Sequence, residues 1–496
     1  MKSIGYLYLI ETFKLNVCEL QSRAHLTNKS VREVHRQNDG IDVYYPVGRI
    51  KVEDSWQGNL LFALKHEGVN LEVLKAFFAQ VSPTDVVAFV KTHPTGVFNR
   101  RVWALYELLM GQRLPLQDLK QGSYLLLAEE KHQIVRPLSA SVRIRRMRLV
   151  NNLLGDQDFS PFVRRTDIID KYNAQRLKRL SDTLLKRYSP ELLYRAIHYL
   201  YVKETRSSFA IERETPDQGR MQSFVSILRR IPDSRMTKET LVDLQNQVVD
   251  ERYRQSGWRQ DQVYVGETVM PGREKVHFIA ARPQDVEDLM AGFLRTLETL
   301  MRSSVDPVVL AAIMSFAFVF IHPFDDGNGR LHRYLMHFIL SQMGFTPKDI
   351  IFPVSAVLLK RPDVYDRMLE TFSRRVMPRL DYEIDPEGEI TVKNESVDFY
   401  RYIDFTEIVE DFQRVIVETI RSEWRTELDY LVDYDRIREG MRQIVDLPEK
   451  KANQFILFVK NNRGRLSAAK RHFFAELTDE EVRSLEQLVC PSGADE

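Results

Sequence analysis

His322-Pro-Phe-Asp-Asp-Gly-Asn-Gly-Arg330, continued by Leu331-His-Arg333, decides how the rest of this 496-residue chain is read. Upstream, Asp306-Pro307 is a helix start, with aspartate as N-cap and proline at the first helical position. Val308 to Ile321 is apolar on nearly every side, so this helix is expected to be buried. Pro323 disfavours helical geometry in the residue before it, so the helix must end near His322. A histidine is thereby held rigidly at the mouth of a buried helix, within reach of a cleft.

Asp325-Asp326-Gly327-Asn328-Gly329 comes next. Glycine and asparagine tolerate the left-handed conformations that turn successive N–H groups toward one point. A second helix follows, with Leu331, Leu335, Phe338 and Ile339 on its apolar side and Gly344 at its C-terminal end. Loop and helix start together form an anion hole. Arg330 and Arg333, three residues apart, share a face near that start, and their guanidinium forks suit phosphate oxygens. An aspartate fits such a place when a Mg²⁺ ion intervenes, because Mg²⁺ is held by one or two carboxylates plus substrate phosphates. A histidine base, a metal carboxylate, an amide cradle and two arginines are the parts that phosphoryl-type transfer needs.

The stretch matches, at every fixed position, the Fic family signature histidine-proline-phenylalanine-any-acid-glycine-asparagine-glycine-arginine-any-any-arginine, and so resembles that family. The resemblance implies a protein adenylyltransferase, which moves AMP from ATP onto a Ser, Thr or Tyr hydroxyl of a target protein or of itself, with Mg²⁺. It implies that His322 is the general base, Phe324 the loop anchor and Asp326 the Mg²⁺ ligand, Asp325 falling at the variable position. Gly327, Asn328 and Gly329 become the phosphate cradle, Asn328 adding a side-chain contact. Arg330 and Arg333 become the phosphate arginines, Arg333 reaching furthest toward the γ-phosphate. Two β-prone arms, Gln262 to Glu267 and Lys275 to Ala280, flank the turn dipeptide Pro271-Gly272 and suggest a hairpin. It resembles the family's flap, which positions nucleotide and target, and Val263, Gly272, Arg273, Glu274, Lys275, Val276 and His277 are its candidate residues.

Ser208 and Glu212 lie four residues apart and would share one helix face. They resemble the family's inhibitory motif, in which the glutamate pairs with the second motif arginine, here Arg333, and takes the space of the ATP γ-phosphate. Resting activity would then be low. Arg213 departs from the pattern, which has glycine or asparagine there, so the helix is expected to run on or to end differently.

The rest of the chain says less. Its length predicts two to four domains. Composition is that of a globular protein, 44% hydrophobic and 28% charged, and the net charge of +1 excludes a global attraction to nucleic acid or anionic membranes. Cys18 and Cys490 make neither a disulfide framework nor a metal-ligand spacing, so a reducing cytoplasm is the default compartment. Glu11 and Lys14 interrupt the apolar run Ile4–Ile10, so no signal peptide is expected, and no segment reads as membrane-spanning. The expected class is mainly α: a helical core with a hairpin flap, an α+β N-terminal domain and a helical C-terminal domain. The expected divisions are 1–150, a 160–225 helical lead-in with the inhibitory motif, a 226–380 catalytic core, and 381–496 with a hairpin and helices, possible regulatory or partner-binding in role by position alone. Basic runs at Val142–Val150 and Lys460–Arg471 keep nucleic acid as a weaker partner beside ATP and an unidentified target protein. A homo-oligomer is compatible with the sequence. His332 and His337 read as packing or surface residues. The alternatives are other chemistry on the same fold (AMP removal, transfer of another nucleotide or of phosphate) and a nucleotide-sensing regulator that binds DNA or a partner.

Overall fold

The computed structural model describes residues 2–37, 40–231, 235–270, 273–347 and 350–490, with backbone alone at 268–270 and 273–274. The class is mainly α with small sheets. The chain forms two compact units, residues 1–180 with 201–419, and residues 181–200 with 420–496.

The first unit opens with β1 (Lys2–Ile4), α1 (Tyr6–Phe13), β2 (Ser22–Thr27), β3 (Glu33–Gln37) and β4 (Gly40–Pro46). These strands form a sheet in the order β1-β2-β4-β3, with β2 and β4 parallel and the other pairs antiparallel. Beyond Pro46 the chain makes a turn, Arg49 and Ile50 both donating back to the Pro46 carbonyl. Helices α2 (Trp56–His66), α3 (Leu71–Gln80), α4 (Pro83–Thr92) and α5 (Val97–Met110) bury Leu74, Phe77, Val90 and Leu105 in one core. A small sheet of β5 (Leu125–Leu126), β6 (Val142–Ile144) and β7 (Leu149–Asn151) completes this part. It contains the first basic run. Arg143 and Arg148 lie over the Tyr124 ring, while Arg146 pairs with Glu107 at 3.2 Å and covers Trp103.

Short helices α6 (Asp167–Lys171) and α7 (Ala174–Leu185) lead to α8 (Pro190–Ile211), which starts at a proline. Then come α9 (Gln218–Arg229), α10 (Lys238–Val248), the hairpin of β8 (Tyr264–Met270) and β9 (Arg273–Ile279), and α11 (Pro283–Met301). Buried α12 (Pro307–Ile321) packs along α13 (Asn328–Gln342), α11 and α17 (Thr406–Glu418). Asp306 caps α12 by accepting from Val308 N at 2.8 Å and Val309 N at 3.1 Å. Each fully buried Leu, Ile or Phe of α12 contributes about 1.5–3 kcal/mol, so this helix is the rigid post behind His322. Between α13 and α17 lie α14 (Val354–Lys360), α15 (Pro362–Val376), a hairpin of β10 (Tyr382–Ile384) and β11 (Ile390–Val392), and α16 (Val397–Arg401). That second hairpin belongs to the unit that carries the motif.

In the second unit Leu192 and Ala196 of α8 pack on Leu428 and Leu431 of α18 (Arg425–Ile444), and Arg195 grips Asp435 with two bonds of 2.7 and 2.8 Å. α19 (Glu449–Asn461) and α20 (Asp479–Val489) close a small core around Met441, Phe455, Phe474 and Leu485. The second basic run packs locally: Lys460 lies over Tyr430, Lys470 over Phe458, and Arg471 meets Asp479 at 3.1 Å. Among the described residues no single helix is long and apolar enough to cross a membrane.

Candidate functional site

His322 ends α12 in the left-handed conformation, φ 56° and ψ 63°, its N–H donating to Phe318 O at 2.9 Å. Few non-glycine residues adopt such a conformation without compensation. Here the compensation is Arg259. This 1%-exposed guanidinium donates to the His322 carbonyl at 2.7 Å and to the carbonyls of Asp261 and Ala281, and its backbone N–H donates to Pro323 O at 2.9 Å. The imidazole Nδ1 lies 3.0 Å from Val319 O. A carbonyl only accepts, so Nδ1 carries the proton and Nε2 keeps its lone pair. Burial, reinforced by the Arg259 charge, pushes the histidine down to about 4, against the opposing pull of the Val319 bond, Glu212 and Asp326. The ring is thus neutral at ordinary pH, as a proton acceptor must be.

The loop closes on itself. Phe324 is fully buried against Trp258 and Phe318. Asn328 Oδ1 accepts from Phe324 N at 3.1 Å and its Nδ2 donates to Phe324 O at 2.7 Å. Each end of that amide thus makes one bond within the loop and braces it. Gln255 holds Asp325 by two bonds, from its Nε2 to Oδ2 at 2.8 Å and to its Oε1 from Asp325 N at 2.9 Å. Gln245 donates to the Asp326 carbonyl at 3.2 Å. Gly327, φ 91°, precedes α13 without a side-chain cap, so the first N–H groups of the helix remain open to an anion.

Two arginines leave the first turn of α13, both with side chains 1% exposed. Arg330 donates to Val248 O at 2.8 Å, Asp326 Oδ1 at 2.8 Å and Glu214 Oε2 at 3.1 Å, and lies over Phe209. Arg333 donates to Ser208 Oγ and Ser208 O, each at 2.8 Å, and to Glu212 Oε1 at 2.7 Å. The Glu212 carboxylate lies so close to the helix start that a Cβ on Gly329 would fall 2.0 Å from its Oε1. It occupies the anion hole. α8 ends just before it: Glu214 N donates to Phe209 O and Arg213 N to Ala210 O, a Schellman cap with Arg213 at φ 57° in the glycine position. With arginine at 213 the helix thus stops at Ile211 and does not run on, and the arginine sits in a strained conformation.

The β8–β9 hairpin pairs Tyr264 with Ile279 and Glu267 with Lys275, with two register irregularities. Val263 precedes β8, its carbonyl accepting from Ala280 N at 3.0 Å. Lys275 and His277 both face Glu267, at 3.1 and 3.4 Å. Arg273 and Glu274 lie in β9 as backbone, and Gly272 lies outside the described residues. The Phe278 ring sits 6.2 Å from that of His322. A cavity of about 550 Å³ opens there, walled by Val276 and His277 of the hairpin, His322 and Phe320, and Asp366 and Glu370 of α15.

Asp326 uses one oxygen on Gly327 N and Arg330 and is 37% exposed. Among the described residues no three His, Cys, Asp or Glu side chains gather as a metal site. One accessible carboxylate beside an anion hole fits an ion completed by substrate phosphates, and does not fit a metal held by protein alone.

Arg259, Glu214, Gln245 and Gln255 went unread in the sequence because each reaches the loop from a distant segment with no motif around it. His332 is buried, 3.3 Å from the Tyr365 hydroxyl through Nδ1 and against the Phe316 ring, as a packing histidine. His337 is buried too, and meets Glu204.

Residues 235–340 match the model of the Fic/DOC family. The protein adenylyltransferase Fic of Drosophila ananassae is 42% identical over 96 residues, 19% of this chain and 17% of that protein. That of Drosophila persimilis is 42% identical over 96 residues, 19% of this chain and 16% of its own. The match thus spans less than a fifth of these curated relatives. A solved Fic family protein from Desulfovibrio desulfuricans G20 aligns at 19% identity over 60% of this chain and 88% of that chain, with a TM-score of 0.38, too loose to define a shared architecture. The loop, the histidine and the helix start all lie inside the residues that are similar to the Fic/DOC family.

Proposed function

We propose that this chain transfers AMP from ATP to a Ser, Thr or Tyr hydroxyl of a protein, and that Glu212 holds it in a low-activity state. The observation that carries this reading is the neutral His322, its Nε2 lone pair kept by the Val319 bond, beside an anion hole that a carboxylate now fills. An acidic side chain on an arginine and an open helix start stands where a phosphate would bind equally well.

In this mechanism Glu212 swings away and the nucleotide phosphates take its place on Gly329 N–H and Arg333. His322 Nε2 accepts the proton of the target hydroxyl as its oxygen attacks the α-phosphorus. The bond from that phosphorus to the bridging oxygen breaks and pyrophosphate leaves. Asp326 would hold a Mg²⁺ ion that neutralises phosphate charge. Arg330, whose terminal nitrogens meet Val248, Asp326 and Glu214, supports the loop that would hold the phosphates. The hairpin and the cavity beside His322 offer the target segment a place to lie.

The test is incubation of wild type, Glu212→Gly and His322→Ala with MgATP labelled at the α- or the γ-phosphate, together with cell lysate. The expected result is α-label on protein, strongest with Glu212→Gly and absent with His322→Ala. Protein-bound γ-label would replace AMP transfer by phosphate transfer. No label from any variant would favour a nucleotide-binding regulator.

A further inference from the structure

Two helical turns before Glu212, on the same face of α8, lies Glu204. Its side chain is 1% exposed, a rare place for a carboxylate without a full set of partners. It has them. Its Oε1 faces His337 Nε2 at 2.7 Å and accepts from the Ser355 hydroxyl, while its Oε2 accepts from Ser355 N at 2.9 Å. His337 and Ser355 are themselves buried. One carboxylate therefore ties α8 to α13 and to the first turn of α14.

The spacing gives this knot a consequence. Glu204 and Ser208 on α8 and Glu212 just past its end recur every four residues, and the residues they meet on α13, His337 and Arg333, are also four apart. α8 thus docks on α13 at two levels. One level is the buried pin at Glu204, about 12 Å along the axis from Glu212. The other is the contact at the anion hole. A slip of one residue would move α8 by about 1.5 Å and turn it by about 100°. It would break the buried pin and take Glu212 off Arg333 together. The pin touches neither the cavity nor the anion hole, so substrate binding gives no reason for it.

We propose that Glu204, with His337 and Ser355, is a positioning cluster that sets the register of α8 and so keeps Glu212 seated on Arg333. This rests on the reading that Glu212 excludes the nucleotide. Loosening the pin should then open the anion hole without touching it.

The experiment is calorimetric titration of MgATP into full-length wild type, Glu212→Gly, Glu204→Gln, Ser355→Ala and the double variant Glu204→Gln/Glu212→Gly. Near-ultraviolet circular dichroism verifies folding, and Ser355→Ala is the mild variant should Glu204→Gln not fold. Glu212→Gly is expected to tighten MgATP by about tenfold, Glu204→Gln by about threefold and Ser355→Ala by about twofold, within the usual range of coupling between sites. The double variant is expected to match Glu212→Gly, because register no longer matters once the carboxylate is gone. If Glu212→Gly tightens MgATP while folded Glu204→Gln and Ser355→Ala bind as wild type does, the cluster is merely structural and the proposal fails alone. If Glu212→Gly also binds as wild type does, the inhibitory reading falls and takes the proposal with it.

Discussion

Arg330 and Arg333 stand one turn apart on the same helix, equally buried, yet the regions around them are built in opposite ways. The Arg330 side is framework. Its two terminal nitrogens meet a backbone carbonyl, a loop aspartate and Glu214, which ties three segments together. The Arg333 side is an exchangeable contact. Its partners Ser208 and Glu212 come from the end of one helix, and Glu212 is 34% exposed. The same residue type one turn apart is thus tied in two ways, and under the proposed function only Arg333 exchanges its carboxylate for a phosphate. What separates them is where the partners come from: three segments around Arg330, one helix end at Arg333.

The largest effect expected from breaking this contrast is on stability. Arg330→Met unties three segments and strands the buried Val248 carbonyl, and should cost about 2–3 kcal/mol. Arg333→Met should cost only about 1–2 kcal/mol, since Glu212 can turn to water. Urea unfolding of both variants checks it, and equal losses would erase the distinction.

A second expectation concerns thermal stability with and without ligand. Glu212→Gly leaves Arg333 buried and unpaired, so its melting temperature without nucleotide should fall. MgATP should then restore it more than it stabilises wild type, by about 2.7 kcal/mol at a hundredfold excess over Kd. Glu214→Gln should fall likewise and show no enhanced rescue.

The third concerns the base. Its pKa of about 4 places the acid limb of kcat/KM near pH 4, with a plateau above it, because only the neutral ring accepts a proton. The Arg259 charge helps to depress that value, so Arg259→Met should move the limb upward in pH. A pH–rate profile on Glu212→Gly background checks the sign. A limb that stays in place would leave burial as the whole cause.

The smallest effect lies at the helix end that presents Glu212. Arg213→Gly relieves a left-handed arginine and adds freedom to the unfolded chain, a net gain of about 0.5 kcal/mol. It should leave MgATP binding unchanged, which calorimetry would show.

Much of the site was readable in the chain. Asp306-Pro307 and Pro323 bracketed α12 because capping and proline sterics act between neighbours, and the apolar run between them had to be buried. Ser208 and Glu212 were readable for the same local reason, four residues being one turn. Arg259 was not. Nothing near it in sequence shows that it would hold four carbonyl-bearing residues or their neighbours from three segments. The bracing role of Asn328 was not readable, because its donors and acceptor suit a phosphate or a peptide equally, and only the closed loop shows the peptide it meets.

The sequence alone determined the chemical inventory in order: a histidine at a helix end, a glycine-asparagine turn, two arginines, and a serine and glutamate spaced to face them. These follow from short-range sterics and helical periodicity. Only the tertiary structure decided which arginine is framework and which is exchangeable, that Arg259 supports His322, and that Glu204 pins α8. Those depend on which groups lose water together in the core, and segments far apart in the chain set that pairing, 63 residues for Arg259 with His322 and 133 for Glu204 with His337.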